Sequence, residues 1–251
     1  MHTVQDTMTM TGRVLKHTMK SIDTLITVVL MPVMIMLASV YIYGSAMDMG
    51  NKSYIDYVVP GILILTIITG SGYTAYRLTQ DVTKGIFERF HSMPIAKSSI
   101  LGGHVYTSVL YNFVSMFFVG IAALLFGYRM ETSLLHFMLA FLLLLVFNFA
   151  MTWVAVFFGL LAKSVETASV YSYILMAFVF VSSAFAPIES MKSGLQIFAK
   201  YNPFTAVIDG LRELLSGNTL DSATLTGLIF SGTVWLVFAF GSVVVYKKKL
   251  K

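Results

Sequence analysis

The residues that could carry out chemistry in this chain are few and form no known catalytic pattern. Cysteine is absent, which excludes disulfides, thiolate metal sites and a cysteine nucleophile. The sequence has no HExxH, GxSxG or GxxxxGKS/T motif, so neither hydrolase chemistry nor a phosphate-binding loop is indicated. His104 and His136 fall near the ends of two different apolar segments, and we interpret them as interfacial polar residues rather than ligands. We predict no catalytic residue and no metal site.

The elements that must position all other residues are membrane spans. Of the 251 residues, 57% are hydrophobic and only 12% are charged, whereas a soluble domain has about a quarter charged residues. Six stretches without Asp, Glu, Lys or Arg are close to or above the roughly 20 residues that cross a bilayer. They are residues 25–43, 57–76, 100–128, 134–161, 167–185 and 222–246. We expect an all-α integral membrane protein with six transmembrane helices, in which residues 1–251 form one transmembrane domain.

The positions of lysine and arginine predict the orientation of these spans. With six spans both termini lie on one side of the membrane, and that side receives twelve of the seventeen Lys and Arg residues. Because short cytoplasmic loops are enriched in these residues, we expect both termini in the cytoplasm and the chain in a bacterial plasma membrane. The basic C-terminal tail is then an anchor near anionic membrane lipid, and no nucleic-acid partner is expected.

The predicted spans contain polar residues but no charged ones. Ion-coupled transporters usually carry ionisable residues within the membrane, because the coupling ion must be bound and released there. The absence of charged residues from the predicted spans therefore argues against a self-powered carrier. Energy for transport would have to come from another chain. Asn112, Asn148 and Thr152 are the polar exceptions. Interhelical hydrogen bonding explains them at least as well as substrate contact.

The connection between the second and third spans, residues 77–99, contains a short amphipathic pattern. The apolar face consists of Ile86, Phe87, Phe90 and Met93, and the polar side of Lys84, Glu88 and Arg89. Pro94 ends the predicted helix. Such a helix either lies on the lipid headgroups or fills a groove on a cytoplasmic partner, and the pattern leaves both interpretations open.

The connection before the last span, residues 186–217, is too charged to cross a membrane and too apolar to stay in water. Two amphipathic stretches, Leu195–Lys200 and Thr205–Leu215, flank an Asn-Pro pair at residues 202–203. Proline disfavours helix in the residue before it, so we expect a turn there between two short helices. We expect both helices to dip back into the outer leaflet under a protein cover, with Phe204 inserted among the outer span ends.

Two ordered motifs occur in these connections. The first consists of Asp81, Gly85, Ile86, Phe87, Glu88, Arg89, Pro94 and Ile95. The second consists of Pro187, Leu195, Gln196, Asn202, Pro203, Phe204, Thr205 and Arg212. In order and spacing they resemble the coupling segment and the late signature of the ABC-2 type permeases, the membrane subunits of ATP-binding-cassette exporters. The daunorubicin-resistance and multidrug permeases are the branch that looks most similar.

The resemblance implies that this chain is one of the two permease subunits of an exporter. Two copies of this chain, or this chain and a homologous permease, would form a dimer, and two copies of a separate ABC ATPase would bind below them. ATP and Mg would be held by the ATPase, with no cofactor on this chain. The stretch Asp6–Ile22 would lie along the inner membrane surface. The ATPase would contact Asp81, Gly85, Ile86, Phe87, Glu88, Arg89, Phe90, Met93 and Pro94.

The implied function is outward movement of an amphipathic or hydrophobic drug, antibiotic or peptide. The substrate would pass between the two permeases, along spans one, two and five. A lipid or lipid-linked polysaccharide exporter of the same superfamily is the alternative, and an ATPase-independent channel or carrier is a third. The sequence does not name the cargo.

Overall fold

The computed structural model describes residues 2–19, 24–44, 53–87, 97–217 and 222–249, and within these ranges every regular element is a helix. The first elements are α1 (His2–Met19), a π-helical turn (Leu25–Leu30), α2 (Met31–Tyr43), α3 (Tyr54–Thr83) and α4 (Lys97–Leu125). They are followed by α5 (Leu134–Leu161), α6 (Val165–Phe180), a 3₁₀ turn (Ile188–Ser190), α7 (Ser193–Tyr201), α8 (Pro203–Leu215) and α9 (Ser222–Lys249). The chain is therefore all-α in the part that the structure describes.

Five of these helical segments are long and apolar enough to cross a membrane. They are Ile26–Tyr43, Tyr54–Thr83, Ser99–Leu125, Leu134–Leu161 and Ser222–Lys249. The α6 helix is apolar but has only 16 residues. The fifth predicted span, residues 167–185, extends past the end of α6 at Phe180. The third, residues 100–128, extends past α4, because Gly127 turns the chain at a φ of +97°.

A proline shapes the start of the first membrane-length segment. Pro32 has no N–H, and its ring would clash with the carbonyl four residues earlier, so a regular α-helical ladder cannot pass through it. The Met31 N–H bonds instead to the Ile26 carbonyl, which is the spacing of a π turn. This local widening lets the helix continue to Tyr43 despite the proline.

The α3 helix is the centre of the bundle. It packs against α2, α4, α5 and α6, and most of its apolar residues are fully buried. Small residues permit close approach, since a Cβ on Gly159 of α5 would lie 3.1 Å from the carbonyl oxygen of Ala75. Packing of this kind holds helices together in a membrane, where lipid is as apolar as the side chains. A buried, continuous helix therefore connects the two ends of the molecule.

One end of the bundle, which we call the α1 end, brings α1 together with the ends of α3, α4, α5 and α9. An apolar cluster fills it, formed by Met10, Leu78, Phe87, Ile100, Leu101, Val105, Val156, Leu160 and Tyr246. The α1 helix lies against α4. It fits closely because Gly103 has no side chain, and a Cβ there would lie 2.7 Å from that of Met10. The Thr107 hydroxyl also donates to the Thr11 carbonyl over 3.2 Å.

The opposite end carries the helix pair α7 and α8. The apolar face of α8 is buried in the main core and consists of Phe204, Val207, Ile208, Leu211, Leu214 and Leu215. The α8 helix approaches α9 closely, because a Cβ on Gly210 would lie 2.7 Å from Thr224 Cα. The predicted stretches Leu195–Lys200 and Thr205–Leu215 fall within α7 and α8. The proline at residue 203 lets α8 begin slightly before its predicted start.

Candidate functional site

The three polar residues predicted inside the spans are buried and form two groups of hydrogen bonds. Asn112 donates to Asn148 Oδ1 over 2.8 Å, and Asn148 donates to the Val109 carbonyl over 3.2 Å. The Thr152 hydroxyl lies 3.1 Å from that of Ser108. Asn112, Asn148 and Thr152 have no exposed surface. Their hydrogen bonds join α4 to α5.

Further buried hydrogen bonds involve residues that were not predicted from the sequence. Thr74 and Tyr111 share a hydrogen bond of 2.5 Å, and Tyr111 also donates to the Gly70 carbonyl. Tyr171 donates to Ser71 over 3.1 Å. Hydroxyl groups within apolar segments were the only sequence signal. Polar groups at this depth must be satisfied by protein, and these separate hydrogen bonds join α3 to α4, α4 to α5 and α3 to α6.

At the α1 end, the first predicted coupling residue forms a buried contact with a histidine. Asp81 Oδ2 lies 3.4 Å from His104 Nε2 of α4, and both side chains are almost inaccessible. Arg77 and Arg13 add positive charge near the same carboxylate. The interpretation of His104 as an interfacial residue is therefore corrected, because His104 is buried and paired. The Asp81–His104 contact ties the last part of α3 to α4.

Past the end of α3 the chain turns at Gly85, whose φ of +68° is favourable for glycine. Ile86 is then partly buried and Phe87 is buried. The Phe87 ring stacks on His104 with 6.3 Å between ring centroids, and it meets Tyr246 of α9 edge-on at 6.1 Å. Phe87 was expected to face a partner protein. It packs inside this chain instead, because the turn folds it back onto α4 and α9.

The other predicted coupling residues are Glu88, Arg89, Phe90, Met93 and Pro94, and they lie outside the described residues. Their contact with a partner stays a prediction. The predicted N-terminal stretch lies within α1 as far as Met19, and its remainder is also outside the described residues. In the described ranges no three His, Cys, Asp or Glu side chains are grouped as metal ligands would be.

Asn202 and Pro203 form the turn between α7 and α8. The Asn202 backbone is extended, and its Oδ1 accepts a hydrogen bond from the Phe204 N–H over 3.0 Å, as an N-cap residue does. Pro203 occupies the start of α8, where a backbone N–H has no partner within the helix. The Thr205 hydroxyl closes the turn by donating to the Ala199 carbonyl over 2.7 Å.

Phe204 wedges α8 among three other helices. It is only 3% exposed. Its ring meets those of Phe147, Phe178 and Phe230 edge-on, at centroid distances of 5.9, 6.3 and 6.2 Å. These three rings belong to α5, α6 and α9. Edge-on aromatic pairs contribute about 0.5–1.5 kcal/mol beyond the area that they bury, so Phe204 is a strong local anchor.

The turn and α8 together bind the free carbonyl groups at the end of α6. Asn202 Nδ2 donates to the carbonyls of Phe178 and Val181 over 2.6 and 2.9 Å. Arg212 donates to the Ser183 carbonyl over 2.7 Å. The last carbonyls of any helix lack partners within it, and in a membrane the protein has to supply them. These bonds explain why α6 ends before its apolar sequence does.

Arg212 also reaches the start of α3. Its Nε donates to the Tyr57 carbonyl over 3.3 Å, and its guanidinium lies 3.9 Å from the centroid of the Tyr57 ring. Asp209 accepts hydrogen bonds from Arg212 and, over 2.7 Å, from Ser183. The Tyr57 hydroxyl donates to the Ser183 carbonyl over 2.8 Å. We call Tyr57, Ser183, Asp209 and Arg212 the Arg212 cluster, and it joins α3, α8 and the end of α6.

Pro187, the remaining residue of the second motif, starts the segment that leads to α7. Its carbonyl accepts from the Ser190 N–H over 3.0 Å and from the Ser190 hydroxyl over 2.7 Å. Just before it, the Phe185 carbonyl accepts from the Tyr54 hydroxyl over 2.8 Å. The start of α3 therefore holds this segment as well.

Comparison with known proteins identifies the family of the chain. The family model described as ABC-2 type transporter matches residues 5–216. The chain is 30% identical over 194 residues to the daunorubicin resistance ABC transporter permease protein DrrB1 of Streptomyces coeruleorubidus, and the match covers 77% of this chain and 69% of DrrB1. The chain belongs to the ABC-2 type transporter family.

Two other relatives of this ABC-2 permease agree with the assignment. The transport permease ycf38 of Cyanophora paradoxa is 27% identical over 214 residues, which cover 80% of this chain and 72% of ycf38. The doxorubicin resistance ABC transporter permease protein DrrC of Mycobacterium tuberculosis is 19% identical over 246 residues, or 98% of this chain and 89% of DrrC. ABC-2 permeases are multi-pass membrane proteins, generally non-catalytic, that work with an ABC ATPase.

In this ABC-2 permease the described part of the first motif and the second motif lie at opposite ends of the bundle, and each is held by residues outside it. His104 and Tyr246 bind the first motif, and Tyr57 and Ser183 bind the second. The sequence contains weak signals for His104, a titratable residue near a span end, and for Tyr57, an aromatic residue at the entry of a span. No signal joins these residues to the motifs, because their partners are far away along the chain.

Proposed function

We propose that this ABC-2 permease is the membrane half of an ATP-driven exporter. Two copies, or one copy and a homologous permease, pair in a bacterial plasma membrane with both termini in the cytoplasm. Two copies of a separate ABC ATPase bind at the α1 end and hold ATP and Mg, and this chain holds no cofactor. The cargo is an amphipathic or hydrophobic drug, antibiotic or peptide that moves outward. Two relatives named for daunorubicin and doxorubicin resistance support a drug as cargo.

The observation that carries the proposal is how the α3–α4 connection is attached to the helix ends. The Asp81–His104 pair, 3.4 Å apart, and the stack of Phe87 on His104 fasten the start of this connection to α4. Phe87 also contacts Tyr246 of α9. A partner that displaces the connection therefore acts on α3, α4 and α9 through side-chain contacts as well as through the chain itself.

Displacement of the α3–α4 connection would also act on the end of the bundle opposite the α1 end. The α3 helix extends from the Asp81–His104 contact to Tyr57, which lies beneath the Arg212 guanidinium, and it contains Pro60 near the Tyr57 end. Arg212 in turn binds the carbonyl of Ser183 at the end of α6. A tilt of α3 would therefore shift the ends of α6 and α8 together. In the proposed dimer this motion opens a path along α2, α3 and α6 towards the outside.

Two other functions are distinguished from this one by experiment. An exporter of a lipid or lipid-linked polysaccharide would share the ATPase but not the cargo. An ATPase-independent channel or carrier would share neither. Asn112, Asn148 and Thr152 are fully buried, with Asn112 bonded to Asn148 and Thr152 bonded to Ser108, which does not favour an open polar channel at this position.

The test is co-purification followed by transport. The tagged chain is extracted from its host in mild detergent, and an ABC ATPase is sought by mass spectrometry. Inside-out membrane vesicles are then assayed for uptake of a fluorescent hydrophobic drug with ATP, with a non-hydrolysable analogue and with no nucleotide. We expect an ATPase partner and uptake with ATP only. Uptake that is equal without ATP would overturn the proposal in favour of a carrier.

A further inference from the structure

One face of α3 stays accessible where this helix reaches the α1 end. Between residues 71 and 81 every residue is buried except four. These four are Tyr73, Tyr76, Arg77 and Gln80, at the helical positions i, i+3, i+4 and i+7. Residues with this spacing share one side of a helix. We call them the Arg77 stripe, and they mark where another molecule can reach the central helix.

The guanidinium of Arg77 lies at the membrane interface. The predicted span that precedes it, residues 57–76, contains no charged residue, and Arg77 is the first charged residue after this span. Because such a span fills the hydrocarbon of the bilayer, Arg77 lies about where the lipid headgroups begin. An arginine there keeps its stem among apolar groups and its charge at the headgroups. In the proposed orientation these headgroups belong to the cytoplasmic leaflet.

The protein satisfies the Arg77 side chain only in part. Its Nη1 donates to Gln80 Oε1 over 3.1 Å, and its Nε is buried with no hydrogen-bond partner among the described residues. No described carboxylate forms an ion pair with Arg77. Asp81 is near, but it is buried and in contact with His104. A partly buried charge without a counter-ion is unfavourable, so an anion at the accessible side of the guanidinium would be stabilising.

Two aromatic rings beside Arg77 favour an amphiphilic anion over a small one. Tyr73 and Tyr76 are stacked, with 6.0 Å between their centroids and 18° between their planes. Tyr73 also meets Tyr111 of α4 edge-on at 6.1 Å, which holds the pair in place. Tyr76 is 36% exposed. Tyrosine is enriched at the headgroup level of membranes, where one part of the ring is apolar and the other is wet.

A second arginine approaches from α1. Arg13 is exposed, and like Arg77 it adds positive charge near the Asp81 carboxylate. The α1 helix is held against α4 at Gly103, where a Cβ would lie 2.7 Å from that of Met10. The charge of Arg13 therefore keeps its place close to the stripe. Basic residues gathered at the surface of a membrane attract anionic headgroups.

We propose that the Arg77 stripe binds the phosphate of an anionic phospholipid. The Arg77 guanidinium donates to the phosphate oxygens, to which its planar fork is suited, and the glycerol and upper acyl groups lie along the exposed side of Tyr76. In a zwitterionic lipid the ammonium group offsets the charge of the phosphate, so the attraction is weaker. The lipid is a resident partner of the bundle and not cargo. The proposal requires neither the ATPase nor export.

The first test titrates the full-length permease in detergent micelles with phosphatidylglycerol and follows bound lipid by native mass spectrometry. We expect Arg77→Gln to weaken the tightest binding step by about tenfold, as loss of a hydrogen bond to a charged group does. Arg77→Lys keeps the charge but not the fork, so it should weaken this step less. Lys84→Gln, at an exposed lysine just beyond the stripe, is the matched control and should keep the wild-type affinity.

Two other compounds identify the source of the phosphate. Wild type should bind phosphatidylglycerol about fivefold more tightly than phosphatidylcholine, the factor that one basic residue contributes near an anionic surface. Excess inorganic phosphate should not displace phosphatidylglycerol, because it has no acyl chains. Displacement would overturn the lipid site in favour of a small-anion site. Equal affinity for the two lipids, or wild-type phosphatidylglycerol affinity in Arg77→Gln, would overturn the proposal entirely.

A second measurement leaves all four residues of the stripe intact. Because the chain has no cysteine, Thr83→Cys carries a single bimane label beside the stripe. Thr226→Cys carries the label at another exposed threonine, near the far end of α9. In proteoliposomes, nitroxide-labelled phosphatidylglycerol should quench the label at residue 83 more than nitroxide-labelled phosphatidylcholine does, and the two should quench equally at residue 226. Equal quenching at residue 83 would contradict the proposal even if the Arg77 variants fail to fold.

A second copy of the chain could cover the same stripe, and this is tested separately. Tyr76→Cys places the single cysteine of the chain on the stripe, at an exposed position. In native membranes under oxidising conditions we expect this variant to stay without a disulfide-linked partner. Efficient formation of disulfide-linked dimers would overturn the lipid site in favour of a dimer contact.

Discussion

The imidazole Nε2 of His104 lies 3.4 Å from the carboxylate of Asp81, at a place where both side chains are almost inaccessible. The two residues belong to α4 and α3, the helices that the coupling connection joins. A buried charge that loses its partner is strongly destabilising. The pair therefore makes the geometry of this connection depend on the packing of the bundle.

The first prediction concerns this pair. His104→Ala should lower the free energy of unfolding by about 3 kcal/mol, because the buried Asp81 carboxylate loses its direct partner and keeps only the charges of Arg77 and Arg13 nearby. His104→Gln retains a donor and should lose clearly less. Thermal unfolding of the purified permease in one detergent measures both variants. His136→Ala is the control, because His136 is only partly buried, and an unchanged Tm for His104→Ala would contradict the prediction.

The second prediction separates two phenylalanines of the first motif. Phe87→Ala should destabilise the permease itself by about 3–5 kcal/mol, because its ring is packed inside the chain. Phe90→Ala should leave the Tm unchanged and weaken retention of the ATPase by about thirtyfold, as loss of an aromatic anchor does. Lys84→Ala, at an exposed position, should change neither. Full retention of the ATPase by the Phe90 variant would end its assignment as an anchor.

The third prediction concerns Arg212. Lysine cannot reproduce the planar fork that binds two carbonyls and a carboxylate, so Arg212→Lys should loosen the ends of α3 and α6. We expect export to fall at least about tenfold while the ATPase still co-purifies, because the change lies at the far end of the bundle. Arg129→Lys, at an exposed arginine, is the matched control. Normal export by Arg212→Lys would show that the cluster only anchors the helix pair.

The fourth prediction concerns the wedge formed by Phe204. Phe204→Ala removes a ring that contacts three others, and it should cost about 3–5 kcal/mol of stability. Tyr201 is the last residue of α7 and is 79% exposed, so Tyr201→Ala should cost less than about 1 kcal/mol of stability. Thermal unfolding and export are measured together. Normal unfolding and normal export by Phe204→Ala would show that the packing of α7 and α8 through Phe204 is needed for neither stability nor export.

The fifth prediction tests the orientation. Because native cysteine is absent, single cysteines report accessibility without background. Lys163→Cys and Lys248→Cys should react with an impermeant maleimide only from the cytoplasmic side, and Lys192→Cys and Lys52→Cys only from outside. The positions 163, 192 and 248 are all exposed. Labelling of Lys192→Cys from the cytoplasm alone would exclude the six-span arrangement.

Several features followed from the sequence by itself, because local chemistry or solvent fixes them. Long apolar segments without charge have to be helices in a bilayer, since every backbone group must be satisfied within the segment. The turn at residues 202–203 was predictable because proline restricts the residue before it. The presence of two motifs was enough to indicate the family, and the family model and DrrB1 confirm it.

Only the tertiary structure decided how these segments are held. The apolar run of the fifth predicted span continues to Phe185, but α6 ends at Phe180 because Asn202 and Arg212 bind the carbonyls of Val181 and Ser183 beyond that point. Phe87 has the pattern of a surface contact, yet the turn at Gly85 directs it into the chain. In both cases the deciding partner is distant along the chain. The contact stabilises the structure only once folding brings the two residues together, so a local sequence pattern cannot predict it.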